Sequence, residues 1–230
     1  MLKNKFLKIG HRGACGYAPE NTLASFRKTL ELGVDMIELD VHLSSDGHLV
    51  VIHDEQLERT TNGRGRVSDK SAAELKRLDA GEGEVIPLLS EVIDLVRGKA
   101  IINIELKGKG TAIPTIRLID QYVKTGDISK EDFLISSFDY DLLREARAED
   151  RLIRIGLNIE STSLNFKELA EELKASSLHP SLEITDRELI DAAHGLGLKV
   201  FVWTVNERDD IERLKAFGVD GLFSNFPDRL

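Results

Sequence analysis

Met36-Ile37-Glu38-Leu39-Asp40-Val41-His42, followed by Leu43-Ser44-Ser45-Asp46-Gly47-His48 and then by Leu49-Val50-Val51-Ile52-His53-Asp54, is the stretch that decides the fold. The run 36–42 is of strand length and almost continuously apolar, the pattern of a parallel-sheet strand covered on both faces. Its exceptions, Glu38 and Asp40, stand two residues apart and so project from one face of a strand. Asp46-Gly47 between two apolar runs is a hairpin signal. The run 49–53 is therefore expected to return antiparallel to 36–42, above the sheet. With the turn centred near Asp46-Gly47, position 40 would pair with position 53, bringing His53 back beside Asp40.

Similar runs recur at 6–10, 101–106, 133–137, 152–158, 177–179, 199–204 and 221–224. Between them lie helical periodicities with recognisable ends. Leu23, Phe26 and Leu30 share a face, with Asn21 or Thr22 as N-cap and Gly33 just past the end. Ser90 is expected to cap a helix burying Ile93 and Val96, and Asp139 one burying Leu142, Leu143 and Ala146. Asn206 would cap one burying Ile211, Leu214 and Phe217, closed by Gly218. Such β–α alternation predicts an α/β fold, a TIM (β/α)8 barrel forming one domain over residues 1–230. The alternative is an open doubly wound sheet, which binds ligands at the same strand ends. No G-x-G-x-x-G or P-loop pattern follows any strand, which disfavours a nucleotide-binding fold. Residues 55–87 interrupt the alternation with Thr60-Thr61-Asn62-Gly63-Arg64-Gly65-Arg66 and one short helical stretch, 71–78. That is too long for an ordinary β–α loop and predicts a small cap insertion over the barrel mouth.

The composition, 41% hydrophobic and 31% charged, is that of a soluble globular chain with one substantial core rather than a disordered one. The net charge of −9 argues against nucleic acid or an anionic membrane as partner, although one basic cleft is compatible with it. Cys15 is the only cysteine, so no intramolecular disulfide forms, as suits a reducing compartment. The first ten residues lack the apolar stretch of a signal peptide, and no run approaches the ~18 apolar residues of a membrane span. The expectation is a cytoplasmic protein without stable membrane insertion, of unspecified oligomeric state.

Two bare carboxylates inside a barrel repel, and one pKa rises unless a cation neutralises them. Glu105, near the end of the run 101–106, adds a third oxygen to Glu38 and Asp40. Three carboxylates with room for water make a site for Mg²⁺ or Ca²⁺ rather than zinc. A salt-bridge layer with Lys107 and Arg12 would satisfy the same residues without a metal. His11 closes the first strand and His53 the hairpin, and two histidines converging on an acidic cluster suit general acid–base catalysis. Arg12 and Lys107 add a guanidinium and an ammonium, which favour a phosphate group over a neutral sugar.

The segments His11-Arg12-Gly13-Ala14-Cys15-Gly16-Tyr17-Ala18-Pro19-Glu20-Asn21-Thr22, Ile37-Glu38-Leu39-Asp40-Val41 and Val51-Ile52-His53-Asp54 together resemble the glycerophosphodiester phosphodiesterase family. Arg59-Thr60-Thr61-Asn62-Gly63, Asn103-Ile104-Glu105-Leu106-Lys107, Ser136-Ser137-Phe138 and Val202-Trp203-Thr204-Val205-Asn206 extend the resemblance over nearly the whole chain. It implies a TIM barrel with a small insertion after the hairpin. It also implies hydrolysis of small-molecule glycerophosphodiesters, such as glycerophosphocholine and glycerophosphoethanolamine, to glycerol 3-phosphate and an alcohol. Carried onto matching positions, Glu38, Asp40 and Glu105 would hold a divalent cation, Mg²⁺ or Ca²⁺. His11 and His53 would be the acid–base pair, and Arg12 and Lys107 would grip the phosphate. Trp203, at the end of the seventh strand, would pack on the glycerol or leaving group, or else into the barrel core.

The chain departs from the family's common pattern at Cys15, where serine is usual, at Leu88 after Pro87, and at Asn225, where many relatives carry aspartate. None of the three is a proposed acid, base or ligand. A structural role is expected for His179, solvent-facing or local roles for His42, His48 and His194, and helix capping for Asn21. Two other readings of the same residues are a lysophospholipase D acting at lipid surfaces and a catalytically idle ligand-binding barrel. The first would favour apolar residues on the 55–87 segment, which is mostly polar and charged. The second would show a lost histidine or acidic ligand, and none is lost. Glycosidase chemistry fits two carboxylates but not the two histidines and the Arg/Lys pair.

Overall fold

The computed structural model describes residues 5–126, 128–161 and 165–230. Among the described residues nine strands are formed: β1 (Leu7–Gly10), β2 (Met36–Leu43), β3 (Leu49–Val51), β4 (Ile101–Leu106), β5 (Phe133–Ser137), β6 (Arg154–Ile159), β7 (Ser177–Pro180), β8 (Lys199–Val202) and β9 (Gly221–Ser224). The helices are α1 (Leu23–Glu31), α2 (Ala72–Leu75), α3 (Leu89–Val96), α4 (Ala112–Thr125), α5 (Tyr140–Glu149), α6 (Phe166–Leu173), α7 (Arg187–Gly195) and α8 (Arg208–Phe217). All strands except β3 pair in parallel, in the order β1-β9-β8-β7-β6-β5-β4-β2, and β1 pairs with β2 to close the ring. The closed eight-stranded barrel is thus the expected TIM barrel, and the open sheet is excluded.

Three apolar clusters hold it. The largest lies between the barrel's outer surface and the helices, where Leu39, Val41, Ile102, Ile104, Ile135 and Ile155 meet Phe26, Ile93, Ile116 and Leu143. A second fills the barrel's interior with Leu7, Ile9, Met36, Leu134, Phe201 and Phe223. The near-continuous apolar runs are explained by these two faces. On several strands the interior residue is followed two positions on by a polar one: Ile9 by His11, Met36 by Glu38, Leu134 by Ser136. The strand period of two thus places an apolar plug below a polar floor.

The third cluster, Val50, Ile52, Leu57, Val67, Leu75, Ala80 and Ile86, lies beneath the segment between β3 and α3. This segment has its own core, pinned by an antiparallel bridge from Val50 to Leu88. None of the residues lining the pocket at the mouth comes from 55–87. Its helix, α2, is shorter than the expected 71–78. Ser71 caps it, with Glu74 returning a carboxylate to the Ser71 backbone N–H.

The hairpin register differs from expectation by one residue. Val41 faces Val51, His42 faces Val50, Leu43 faces Leu49, and the Ile52 N–H donates to the Asp40 carbonyl at 3.0 Å. The turn therefore centres on Asp46, and position 40 lies across from 52. Ile52 points into the segment's core, and His53, one residue on, points the other way. Two helix starts also move. Leu88, not Ser90, precedes α3, with the Glu91 carboxylate accepting its N–H. Glu207, not Asn206, precedes α8, because Asn206 Oδ1 accepts from the Ser224 hydroxyl and the Asn225 N–H. The Thr22 cap, the Asp139 cap and the Gly218 terminus are as expected. Among the described residues no helix is long and apolar enough to cross a membrane.

Gly156 offers a test of packing at the barrel centre. A Cβ there would meet the His179 ring at 2.4 Å, and that ring is buried and held by Ser177 and Asn158. Gly156→Ala should destabilise the protein by about 1–3 kcal/mol, measured by urea unfolding. An unchanged midpoint would show that the centre relaxes freely.

Candidate active site

The C-terminal ends of the strands carry the polar floor upward into a small pocket that opens to solvent. His11, Arg12, Glu38, His53, Glu105, Lys107 and Trp203 all line it, with Asn103, Phe138, Asn158 and Phe223. Asp40 lies buried behind them. All eight residues singled out from the sequence thus meet in one place.

Glu38 and Asp40 share the inner face of β2, and the pairing of β2 with β4 sets Asp40 directly beside Glu105. Oxygens of the three carboxylates all lie within 4.8 Å of one another, buried. The β1–α1 loop folds tightly to meet them. Arg12 adopts φ +52° and Gly13 φ +81°, and any Cβ on Gly13 would strike Ser25 Oγ at 2.0 Å. Only glycine fits there. The outcome is that the Arg12 N–H donates to Glu38 Oε2 at 2.7 Å and the Gly13 N–H to the Glu38 carbonyl at 3.2 Å. The Arg12 guanidinium donates to Glu20 at 2.9 Å and stands 3.6 Å from Asp40. Lys107 Nζ lies 2.5 Å from Glu105 and 3.5 Å from Asp40.

The salt-bridge layer weighed against a metal is therefore present. It leaves the cluster short of positive charge, with three carboxylates facing two cations. Asp40 Oδ1 and Glu105 Oε1 lie by Lys107 as ion-pair contacts and accept no well-directed hydrogen bond, and Asn103 Oδ1 accepts none either. Buried acceptors without donors are costly. Burial, then Asp40, raises Glu38 well above the usual carboxylate range and Glu105 to about 7. Burial also acts to raise Asp40, but Lys107 and Arg12 outweigh it and hold it low. An all-oxygen, anionic, under-donated cluster is the donor set of a hard divalent cation, so the residues fit such an ion.

Each histidine is held from behind through Nδ1. His11 Nδ1 lies 2.8 Å from Asn225 Oδ1, an acceptor, so Nδ1 carries the proton and Nε2 is left as the free nitrogen. His53 Nδ1 lies 2.5 Å from Asp54 Oδ1, with the same consequence. Burial, then the Arg12 charge, pushes His11 down to about 4, and burial lowers His53 as well. Both rings are thus neutral near pH 7. Trp203 donates from its indole N–H to the His179 carbonyl at 2.8 Å and meets Phe138 edge-to-face at 5.5 Å. The indole both packs on the barrel and presents a face to the pocket.

Several roles were not read from the sequence. Thr22 is the cap of α1, accepting from the Ser25 N–H, while Asn21 donates to Asp40 Oδ2 at 2.8 Å from a left-handed backbone. His42 is buried, not solvent-facing, with Nε2 3.0 Å from the His53 carbonyl. Asn225 was noted only as a departure, yet it orients His11. The Cys15 thiol also points at its oxygen, and burial pushes that thiol up to about 12, which leaves it inert. His179 is structural as expected, buried between Ser177 and Asn158 and pushed by burial to about 3.

The sequence model of the glycerophosphoryl diester phosphodiesterase family matches residues 11–229. A glycerophosphodiester phosphodiesterase of Caldanaerobacter subterraneus subsp. tengcongensis is 41% identical over 236 residues, covering 98% of this chain and 96% of the relative. One from Bacillus altitudinis is 38% identical, covering 96% and 95%. Among solved structures, an Oleispira antarctica phosphodiesterase in complex with the product sn-glycerol-3-phosphate aligns with a TM-score of 0.89 and 35% identity, over 96% of this chain and 93% of that one.

The raised pKa of Glu105 sets a sign for cation loading. Without a cation, the folded protein keeps a proton on this group up to about pH 7, whereas the unfolded chain loses it near pH 4.5. The folded state thus binds more protons between these values, and the group's stabilising contribution is lost as pH rises through 7. A bound divalent cation would reverse that loss. Addition of Mg²⁺ or Ca²⁺ to metal-free protein should therefore raise the melting temperature more at pH 8 than at pH 5.5. Scanning fluorimetry showing an equal or larger gain at pH 5.5 would contradict the assignment of the cluster.

Proposed function

The chain belongs to the glycerophosphoryl diester phosphodiesterase family, and from that premise we propose that it hydrolyses small glycerophosphodiesters, such as glycerophosphocholine and glycerophosphoethanolamine, to glycerol 3-phosphate and the free alcohol. The observation that carries this reading is the placement of two neutral histidines, each with Nδ1 tied back, around one buried three-carboxylate cluster.

In this reading Arg12 and Lys107 take the phosphate between them. Both already lean on the carboxylates, so they are held in the pocket without filling it. Trp203 and Phe138 offer an apolar wall against the glycerol or the leaving group. Residues 1–230 act as one domain, with the 55–87 segment shaping the approach from the hairpin side. The glycerol 2-hydroxyl attacks phosphorus, and the Nε2 of one histidine takes its proton. The other histidine, which must first take up a proton at Nε2 as the anionic phosphodiester binds beside it, gives that proton to the departing alcohol oxygen. A cyclic phosphate results, which water opens as the two histidines exchange roles. Glu38, Asp40 and Glu105 would hold the divalent cation, Mg²⁺ or Ca²⁺, whose charge would offset that on the phosphoryl oxygens. Lone Cys15 supports a reducing compartment, the cytoplasm, as the setting.

Purified protein should release glycerol 3-phosphate from glycerophosphocholine in the presence of Mg²⁺ or Ca²⁺ and stop when chelator is added. His11→Ala and His53→Ala should each lower turnover by about 10²–10⁴-fold. Full turnover in both variants would sink the assignment. Running a lysophospholipid in parallel separates the lysophospholipase D reading, in which it would be the better substrate.

A further inference from the structure

Behind the two sides of the pocket runs one continuous chain of ion pairs, and its centre is outside the pocket. His53 rests on Asp54, and Arg12 rests on Glu20. Between these carboxylates stands Arg59, contributed by the 55–87 segment. Its Nε donates to Asp54 Oδ2 at 2.5 Å and its Nη2 to Asp54 Oδ1 at 3.0 Å. The same Nη2 donates to Glu20 Oε1 at 2.7 Å, and Nη1 to Glu20 Oε2 at 2.9 Å. One planar guanidinium thus binds both oxygens of two different carboxylates. Each carboxylate in turn has a group of the site on its other side.

We propose that Arg59 is a positioning residue that sets the aim of His53 and Arg12 together, transmitting the folded state of the 55–87 segment to the reaction centre. This rests on the phosphodiesterase reading for what the aim is used for, but not for the brace itself. The backbone around Arg59 is built to hold it. Leu57 is fully buried in the segment's core and bonds to Gly65, and both the Thr61 N–H and hydroxyl return to the Leu57 carbonyl. The guanidinium fork matches two carboxylates at once, which an ammonium cannot do.

A surface ion pair of half-exposed arginine contributes little to stability, so such an investment of hydrogen bonds points to geometry. Without Arg59, Glu20 would have only Arg12 to neutralise it and would draw that guanidinium away from the pocket. Asp54 would lose the partner that holds it square to the His53 ring. The charge beside His53 and Arg12 would change together.

Arg59→Ala should lower kcat about 10–100-fold with KM changed less than about threefold, and Arg59→Lys should do nearly as badly. Added guanidinium ion at millimolar concentration should restore part of the loss in Arg59→Ala and none in His53→Ala. Arg66→Ala, which removes only an exposed contact to Glu55 in the same segment, should leave turnover unchanged. The double variant Arg59→Ala/Asp54→Asn should lose no more than the worse single variant. A readout independent of turnover is the His53 Nδ1 proton resonance, which should move in Arg59→Ala. If it moves while the wild-type protein cleaves no glycerophosphodiester, the functional reading fails and the brace stands. An unmoved resonance, a kcat within twofold of wild type, a matching loss in Arg66→Ala, or multiplicative losses in the double variant would each overturn the proposal.

Discussion

The mutual repulsion of three buried carboxylates is the constraint around which this molecule is arranged. Glu38, Asp40 and Glu105 converge on the inner wall of a barrel, where water does not screen them. Such a cluster cannot persist without compensation. The compensation is drawn from the elements that surround it. The β1–α1 loop turns through a left-handed arginine and a glycine to give Glu38 a backbone N–H. The same loop gives Asp40 the Asn21 amide, and the residue just past the end of β4 gives Glu105 the Lys107 ammonium. The shortfall that remains is what makes the cluster suited to a cation rather than a closed ionic network.

The barrel makes this affordable by dividing its interior in two. Leu7, Ile9, Met36, Leu134, Phe201 and Phe223 plug the lower part with apolar contacts. The polar residues begin only one pleat higher. A single strand therefore serves both purposes, since Met36, Glu38 and Asp40 follow one another on the same face. The sheet's outer face, covered by helices, supplies the larger cluster. Burial of that face stabilises the fold enough to tolerate strain and unpaired acceptors at the mouth.

Much of this could be read before any coordinates. The near-continuous runs, the turn at Asp46-Gly47 and the paired acidic positions are local signals with direct physical meaning, and they led to the barrel and to seven of the eight residues that meet at its mouth; Trp203 came with the family resemblance. What escaped was decided by contacts distant in sequence. The hairpin register turned on a five-residue turn centred on Asp46, one residue from where the Asp-Gly signal alone would put it. Asn206 looks like a cap because it precedes a helix, but Ser224 and Asn225 claim its side chain from another strand. Asn21 precedes a helix too and instead holds Asp40. For both asparagines a short polar side chain had two uses, and pattern alone favours the local one.

The two histidines illustrate how far a site can differ behind a symmetric front. Each presents Nε2, and each is fixed through Nδ1, so from the pocket they look equivalent. His11 leans on the neutral amide of Asn225, in a wall shared with the buried thiol of Cys15. His53 leans on a carboxylate, Asp54, whose ionised form is itself secured, since the Arg59 hydrogen bonds hold it well below the usual range. A carboxylate behind an imidazole steadies the protonated ring, whereas an amide fixes only the tautomer. Both supports act to raise the affinity of their ring for a proton, against the burial that lowers it, while leaving the geometry alike. Burial and the Arg12 charge set most of the lowering, and residues 54 and 225, neither of which lines the pocket, act against it. A site of this kind is tuned from its outer supports as much as from the groups that face the substrate.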